Sequence, residues 1–351
     1  MSELIPITIK QKLFEEGVLP FQQCHASTVI VLPNDNKLVA FFAGTKEGDP
    51  NTAIWLSRQN EGCWLSPRKI FDHERVAQWN PVLHYEDETI WLFYKCGSDV
   101  QTWVTKVSIS YDLGDNWSEP VDVVEGSSTP RGPVKNKLLR LSNGHWIAPN
   151  SIENELYWDA KIDKSIDHGQ SWREIAVPCD HSQVIKSVNN TSVWQGLSDG
   201  ALWETEADTV FRWDGVIQPT LWESQPGFVH MLLRSTRGFI YRSDSKDWGE
   251  TWCEVYPTEL PNNNSGIDLV SFGEGHIALV YNPVFGNWGA RFPISVTLSQ
   301  DNGQSWSQLI DLETAAGEYS YPAIYFRDGC FHVTYTSNRE TIVYESFNLQ
   351  S

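Results

Sequence analysis

The sequence predicts an all-β chain folded as a six-bladed propeller, and three observations carry that expectation. A short motif, Ser-x-Asp-x-Gly-x-x-Trp, recurs as SYDLGDNW (Ser110–Trp117), SIDHGQSW (Ser165–Trp172), SKDWGETW (Ser245–Trp252) and SQDNGQSW (Ser299–Trp306). A fifth segment, SRQNEGCW (Ser57–Trp64), keeps the Ser and the Trp but has lost the Asp. The five starts lie 53, 55, 80 and 54 residues apart, and repeats of roughly 40 to 55 residues built on short strands mark propeller blades. Finally, 17 Trp, 12 Tyr and 15 Phe in 351 residues suit extended sheets and surfaces that stack on sugars.

Alternating, β-rich runs supply the strands in order. Blade one reads HASTVIVL, KLVAFFAG, TAIWLSRQ and CWLSPRKI; blade two reads WNPVLHYE, TIWLFYKC, WVTKVSIS and WSEPVDVV. Blade three reads VKNKLLRLS, HWIAPNS, DAKIDKSI and WREIAVP; blade four reads IQPTLWES, FVHMLLRS, FIYRSDS and WCEVYPTE. Blade five reads GIDLVSF, HIALVYN, PISVTLSQ and WSQLIDLE, and blade six has only YPAIYF, CFHVTYTS and TIVYESF. The N-terminal run ELIPITIK is a spare strand, expected to complete blade six and close the ring, which removes an open sheet edge. The 80-residue interval holds an extra segment, Gln183 to Trp213, expected as an insertion between blades three and four. Residues 1–351 then form one domain.

Each motif is a turn between the third and fourth strands of a blade. An Asp followed two residues later by Gly makes a tight turn, its carboxylate capping backbone N–H groups, and the Trp packs over it. These aspartates are structural. Net charge is 26 − 45 = −19, the opposite of a nucleic-acid binder. No apolar run reaches 18 residues, so no membrane span is expected. The N-terminus lacks a basic start followed by an apolar block, and the six cysteines are scattered with no CxxC pair. Both predict a reduced, cytoplasmic chain without zinc. No cofactor motif is present.

The combination resembles the sialidase superfamily, whose Asp-box turns decorate a six-bladed propeller. The resemblance implies a site on the propeller axis: three arginines for a sugar carboxylate, a Tyr nucleophile helped by a Glu, and an Asp acid/base. By position within each blade, ARFPISV supplies Arg291 and HMLLRS supplies Arg234 as two of the arginines. EYSYPAIY supplies Tyr319 as nucleophile, with Tyr321 a rival on the same strand face. His25 of CHAST stands where the first arginine is expected, and Gln218 of IQPTLW stands where the helper Glu is expected. TKEGDPN offers Asp49 as acid/base, with Glu47 as runner-up. A Gln cannot take a proton from Tyr, whereas His25 can exchange protons near neutral pH.

Phrases such as CHASTVIVL, FFAGTKEGDPNTAIWLSR, WNPVL, IQPTLWES and LPNNNSGID also look like a neuraminidase-like bacterial and plant group. Related propellers cleave rhamnose–glucuronate bonds by hydrolysis or elimination with a histidine. Further candidates for substrate binding follow from strand position. Lys135 opens the first strand of blade three, with Arg131 before it and Lys137 on the same face; Lys135 could replace the missing arginine charge. Trp79 and Asn80 open blade two, where Trp79 could stack on a sugar. Asn262, Asn263, Asn264 and Asp268 enter blade five and could hydrogen-bond sugar hydroxyls. The expected activity is cleavage of a glycosidic bond at an acidic sugar, sialic-acid-like or uronate, by an exo-acting hydrolase. The alternatives are a lyase acting by β-elimination on a rhamnosyl-glucuronate-type linkage and a non-catalytic propeller that binds acidic glycans.

Overall fold

The computed structural model describes residues 7–73, 75–182 and 211–349. The expected insertion at 183–213 therefore lies almost wholly outside the described residues. Strand β1 (Ile7–Lys12) comes first. The next sheet holds β2 (Gln23–Val31), β3 (Lys37–Gly44), β4 (Ala53–Asn60), β5 (Cys63–Trp64) and β6 (Arg68–Phe71). It is followed by β7 (Gln78–Glu86), β8 (Thr89–Cys96), β9 (Val104–Ser110) and β10 (Val121–Asp122). An eight-stranded sheet has two halves. One is β11 (Leu139–Arg140), β12 (Trp146–Glu153), β13 (Tyr157–Ser165) and β14 (Arg173–Ala176). The other is β15 (Asp214–Gln225), β16 (Phe228–Ser235), β17 (Phe239–Ser245) and β18 (Tyr256–Pro261). They are joined by a short parallel bridge, Tyr157 to Asp214 and Trp158 to Gly215. Then come β19 (Asp268–Gly273), β20 (His276–Tyr281), β21 (Ile294–Ser299) and β22 (Ile310–Glu313). Last are β23 (Tyr319–Arg327), β24 (Cys330–Ser337) and β25 (Thr341–Asn348).

Strand β1 pairs antiparallel with β25, from Ile7 opposite Asn348 to Lys12 opposite Val343. The apolar core lies between sheets rather than within one layer. Ile30, Leu38 and Ile54 meet Leu83, Ile90 and Leu92 of the next sheet. Val280, Val296 and Leu298 meet Ile324, Val333 and Tyr335. The last sheet in turn meets the first, with Ala323, Ile342 and Tyr344 against Val29, Val39, Phe41 and Trp55. Burial of both sheet faces explains why the strand runs are apolar beyond simple alternation.

The four motifs form one repeated turn. Ser110 Oγ donates to Asp112 Oδ1 at 2.9 Å and accepts from Gly114 N at 2.8 Å. Asn116 donates its backbone and side-chain N–H to the same carboxylate, both at 2.8 Å. Ser171, Thr251 and Ser305 fill the Asn116 role in the other three turns. So the residue before the Trp closes each turn, a regularity the motif as first written leaves out. The degenerate fifth segment instead makes a tight hairpin on Glu61 and Gly62, both at positive φ, with Asn60 opposite Cys63.

One expected strand is missing. VKNKLLRLS forms a ladder only at Leu139–Arg140. Lys135 and Asn136 turn away from the sheet and spend their donors on backbone carbonyls of other strands, as described below.

Candidate active site

Four strands begin with the same distortion. The register slips between His25 and Thr28, Trp79 and Val82, Ile217 and Thr220, and Ser320 and Ala323. Inside each slip one non-glycine residue has positive φ: Ala26 (54°), Asn80 (42°), Gln218 (53°) and Tyr321 (50°). Such residues are uncommon and cost about 1–3 kcal/mol each, and they gather at functional sites. A bulge also re-aims its side chains. Here all four bulges aim at one place: His25, Trp79, Asn80, Ile217, Gln218 and Tyr321 line a single cavity.

The ends of the second strands and their hairpins complete it. Glu47 follows β3, Glu153 ends β12, Arg234 lies near the end of β16 and Arg339 follows β24; Arg291 and Trp288 come from the loop before β21. Trp103, Trp158 and Trp213 add to the aromatic wall. Trp158 stacks on Trp213 at 5.2 Å between ring centroids, and Trp288 lies 6.5 and 6.4 Å from the two. The indole N–H groups of Trp158 and Trp288 are buried without a hydrogen-bond partner among the described residues. Trp55, Trp117 and Trp146, away from the cavity, share this state.

Tyr321 is the hub. Arg234 Nη1 donates to its hydroxyl at 2.8 Å and to Gln218 Oε1 at 3.2 Å. The guanidinium carbons of Arg234 and Arg291 lie 5.7 and 5.8 Å from its ring centroid, and Lys135 Nζ lies 5.9 Å away. The His25 ring sits 4.3 Å from the Tyr321 ring, centroid to centroid. His25 Nδ1 pairs with Thr336 Oγ1 at 3.1 Å, and its Nε2 has no partner among the described residues. Burial, then Arg339, Arg291, Lys135 and Arg234, push its pKa well below the usual imidazole value, so the ring is neutral.

The charges are arranged in layers. Arg339 donates to Glu47 at 2.7 Å and to both oxygens of Glu318 at 3.2 and 3.1 Å, while Arg291 donates to Glu318 at 2.8 Å. Burial opposes the charge on Arg339, but Glu318 and Glu47 hold it above the ordinary arginine range. Asn264 fixes Arg234, accepting at its side chain from Nε (3.1 Å) and Nη2 (2.9 Å) and at its backbone from Nη2 (2.5 Å). Among the described residues, no group of three or more His, Cys, Asp or Glu side chains could hold a metal.

Several sequence expectations are corrected. Tyr319 is not in the cavity; its ring packs in the core between the last two sheets. Two residues apart, Tyr319 and Tyr321 share a face only on a regular strand, and the bulge between Ser320 and Ala323 puts them on different ones. The backbone of Asp49 closes a turn, its N–H donating to Lys46 O and its carbonyl accepting from Thr52 N, and Glu47 rather than Asp49 lines the cavity. Arg131 is bound to the fully buried Asp163 at 2.9 and 2.5 Å, because that carboxylate needs a charge partner. Lys135 lies beneath Tyr321 and donates to Asn136 Oδ1 (2.9 Å), Ile267 O (3.1 Å) and Pro322 O (2.5 Å). Burial pulls its pKa down to about 7. Asp268 accepts from Lys137 (2.6 Å), Thr220 (2.8 Å) and Ile324 N (2.9 Å), which ties three strands together outside the cavity. Asn262 and Asn263 likewise bond to the backbone around them. The cavity does receive His25, Gln218, Arg234, Arg291, Trp79 and Asn80.

Sequence reasoning missed Arg339 and Glu153. Those two carry no local signal, whereas three of the bulges do: Asn80-Pro81, Gln218-Pro219 and Tyr321-Pro322 repeat a residue–proline pair near the start of a strand, and each marks a bulge that faces the cavity.

Residues 35–333 match the family described as BNR repeat-like domain. No curated protein matches the chain. Among solved structures, a Hadza microbial sialidase superposes with a TM-score of 0.73 at 14% identity, covering 97% of this chain and 68% of that one. A protein of unknown function from Dyadobacter fermentans gives 0.73 at 14% identity over the full length of both. Trypanosoma rangeli sialidase gives 0.70 at 11% identity, covering 98% of this chain and 60% of that one. The solved structures thus share the fold of this chain, and the chain belongs to the BNR repeat-like domain family.

Proposed function

We propose that the chain is a glycosidase that cleaves a bond at an acidic sugar within a six-bladed propeller. The eight-stranded sheet would count as two blades, and the pairing of β1 with β25 would close the ring. The observation that carries the functional reading is the meeting of Arg234, Arg291, Arg339 and Tyr321 in one tryptophan-walled cavity. A guanidinium cluster recognises a carboxylate through charge-assisted hydrogen bonds, even under a net charge of −19, because surface charge is screened within about 8 Å. The tryptophans offer a stacking face, and Trp158 and Trp288 offer indole N–H donors without a partner among the described residues, for a ring and its hydroxyls. The structural neighbours that are sialidases agree with an acidic sugar.

In this reading Arg234 and Arg291 hold the carboxylate and Tyr321 is the nucleophile. Arg234, already bonded to the tyrosine oxygen, stabilises negative charge as it develops there. His25, with its ring 4.3 Å from that of Tyr321 and Nε2 without a partner among the described residues, receives the tyrosine proton in place of the glutamate that Gln218 replaces.

The same neutral base favours a second reading, β-elimination at a uronate. A carboxylate neutralised by arginine acidifies the adjacent C–H, and His25 or Tyr321 removes that proton. Product mass spectrometry in oxygen-18 water separates the two. The panel comprises aryl and disaccharide glycosides of sialic acid and of glucuronate, including rhamnosyl-glucuronates. Heavy oxygen in the freed acidic sugar supports hydrolysis. An unsaturated product without it supports elimination. No turnover anywhere on the panel, with saturable binding of the same sugars, makes the chain a glycan-binding propeller and overturns both.

A further inference from the structure

The hydrolase reading leaves one role open. The departing oxygen needs a proton, and neither loop acid where the resemblance would place the donor presents an unpaired carboxyl to the cavity. Asp49 does not line it. Glu47 faces the cavity, but its carboxylate is clamped to Arg339 at 2.7 Å. Glu318 is shared between Arg291 and Arg339.

Glu153 differs from these. It is the last residue of β12, opposite Trp158 in the ladder with β13, and both line the cavity. Two residues earlier, Ser151 Oγ accepts the backbone N–H of Gln218 at 2.7 Å, which anchors this strand end to the bulge that carries Gln218. The Glu153 carboxyl makes no hydrogen bond and no ion pair among the described residues. Its charged surroundings are mixed: Arg234 of β16 favours the anion and Glu47, after β3, disfavours it. His25, Tyr321, Arg291 and Arg339 line the remaining walls. Burial outweighs the arginine and pushes the carboxyl up to about 7, the range in which one group can both give and take a proton.

We infer that Glu153 is the acid/base of this site: it protonates the departing oxygen and then deprotonates the attacking water. The inference rests on the hydrolase reading. In the first step the Tyr321 proton passes to His25 Nε2 and the tyrosine oxygen bonds to the anomeric carbon. The bond from that carbon to the departing oxygen breaks, and that oxygen leaves with the electron pair and the Glu153 proton. In the second step water attacks the anomeric carbon and gives a proton to the Glu153 carboxylate. The carbon–tyrosine bond breaks, and His25 returns its proton to Tyr321. The sum is glycoside plus water giving sugar plus alcohol, with every side chain restored.

The test compares wild type, E153Q and E47Q by kcat/KM on 4-nitrophenyl and on methyl glycosides of sialic acid and of glucuronate. A nitrophenolate leaves without help, whereas methoxide needs a proton. E153Q is expected to lose about 10²–10⁴-fold on the methyl glycoside and less than about tenfold on the nitrophenyl one. Wild-type kcat/KM on the methyl glycoside should fall above about pH 7, and E153Q should lack that limb. Equal losses on both glycosides, no loss, or the selective loss appearing in E47Q would overturn the role of Glu153 and leave the hydrolase reading standing. A wild type that cleaves no member of the panel overturns the hydrolase reading, and the inference falls with it.

Discussion

The motif turns and the cavity lie at opposite ends of the strands, and they treat polar groups in opposite ways. At the turns every aspartate is saturated. Asp112, Asp167 and Asp301 are held down to about 2, chiefly by N–H and O–H donors from the residue before the Trp. At the cavity the shifts run the other way. Burial raises Glu153 to about 7 and drives His25 well below its usual range. Donors and acceptors such as the Trp158 and Trp288 indoles and His25 Nε2 lack partners among the described residues. One end closes local hydrogen bonds around its aspartates, although the Trp117 indole N–H at the first turn is without a partner among the described residues. The other keeps polar groups open for something else to satisfy, which fits the tendency of perturbed ionisation to mark functional sites.

Substitutions at the two ends should therefore separate activity from stability. The largest effect is expected from Tyr321→Phe, a loss of about 10⁴-fold or more in kcat on whichever glycoside the wild type cleaves, with an unchanged unfolding midpoint. Tyr319→Phe, two residues away, should stay within about twofold of wild type. Arg339→Ala should reverse the pattern's clean separation, because Glu47 and Glu318 lose their shared partner inside the fold; denaturant unfolding should show a loss of about 3–5 kcal/mol. Asp247→Asn at a turn should lower the thermal midpoint by roughly 2–4 °C and leave kcat/KM unchanged. Because the turn aspartates have depressed pKa values, their contribution is present above the unfolded value near 4 and disappears as pH falls toward about 2. The smallest effect concerns Glu153. Its raised pKa means that its contribution is full below about pH 4 and is lost as pH rises through about 7. Glu153→Gln should therefore match the wild-type midpoint at pH 4 and exceed it by a degree or two at pH 8, read by calorimetry at both.

The same contrast explains what could be read from the sequence. Each turn is written within eight consecutive residues, so Ser110 to Trp117 declares its structure locally. The strands followed from alternation, and the partner of β1 followed from a missing strand at the other end of the chain. The cavity is assembled from residues far apart in sequence, at positions where alternation fails. His25, Gln218, Arg234 and Arg291 were found because the resemblance fixed their place in the repeat. Tyr321 was ranked second because a bulge reverses its face. Glu153 and Arg339 carry no local signal; they matter because a strand end and a hairpin deliver them to the same space. Lys135 looked like a ligand-binding lysine, and only the fold shows its three donors engaged beneath Tyr321.

The pairing of β1 with β25 also sets a schedule. Ile7 meets Asn348 across some 340 residues of chain, so on a ribosome β1 emerges long before its partner and waits for it. Sheets whose strands are neighbours in sequence can form as they emerge, whereas this ladder bears the largest loop-closure cost in the molecule. Until it forms, the free edge of β25 and the waiting β1 are both open to strands of other nascent chains.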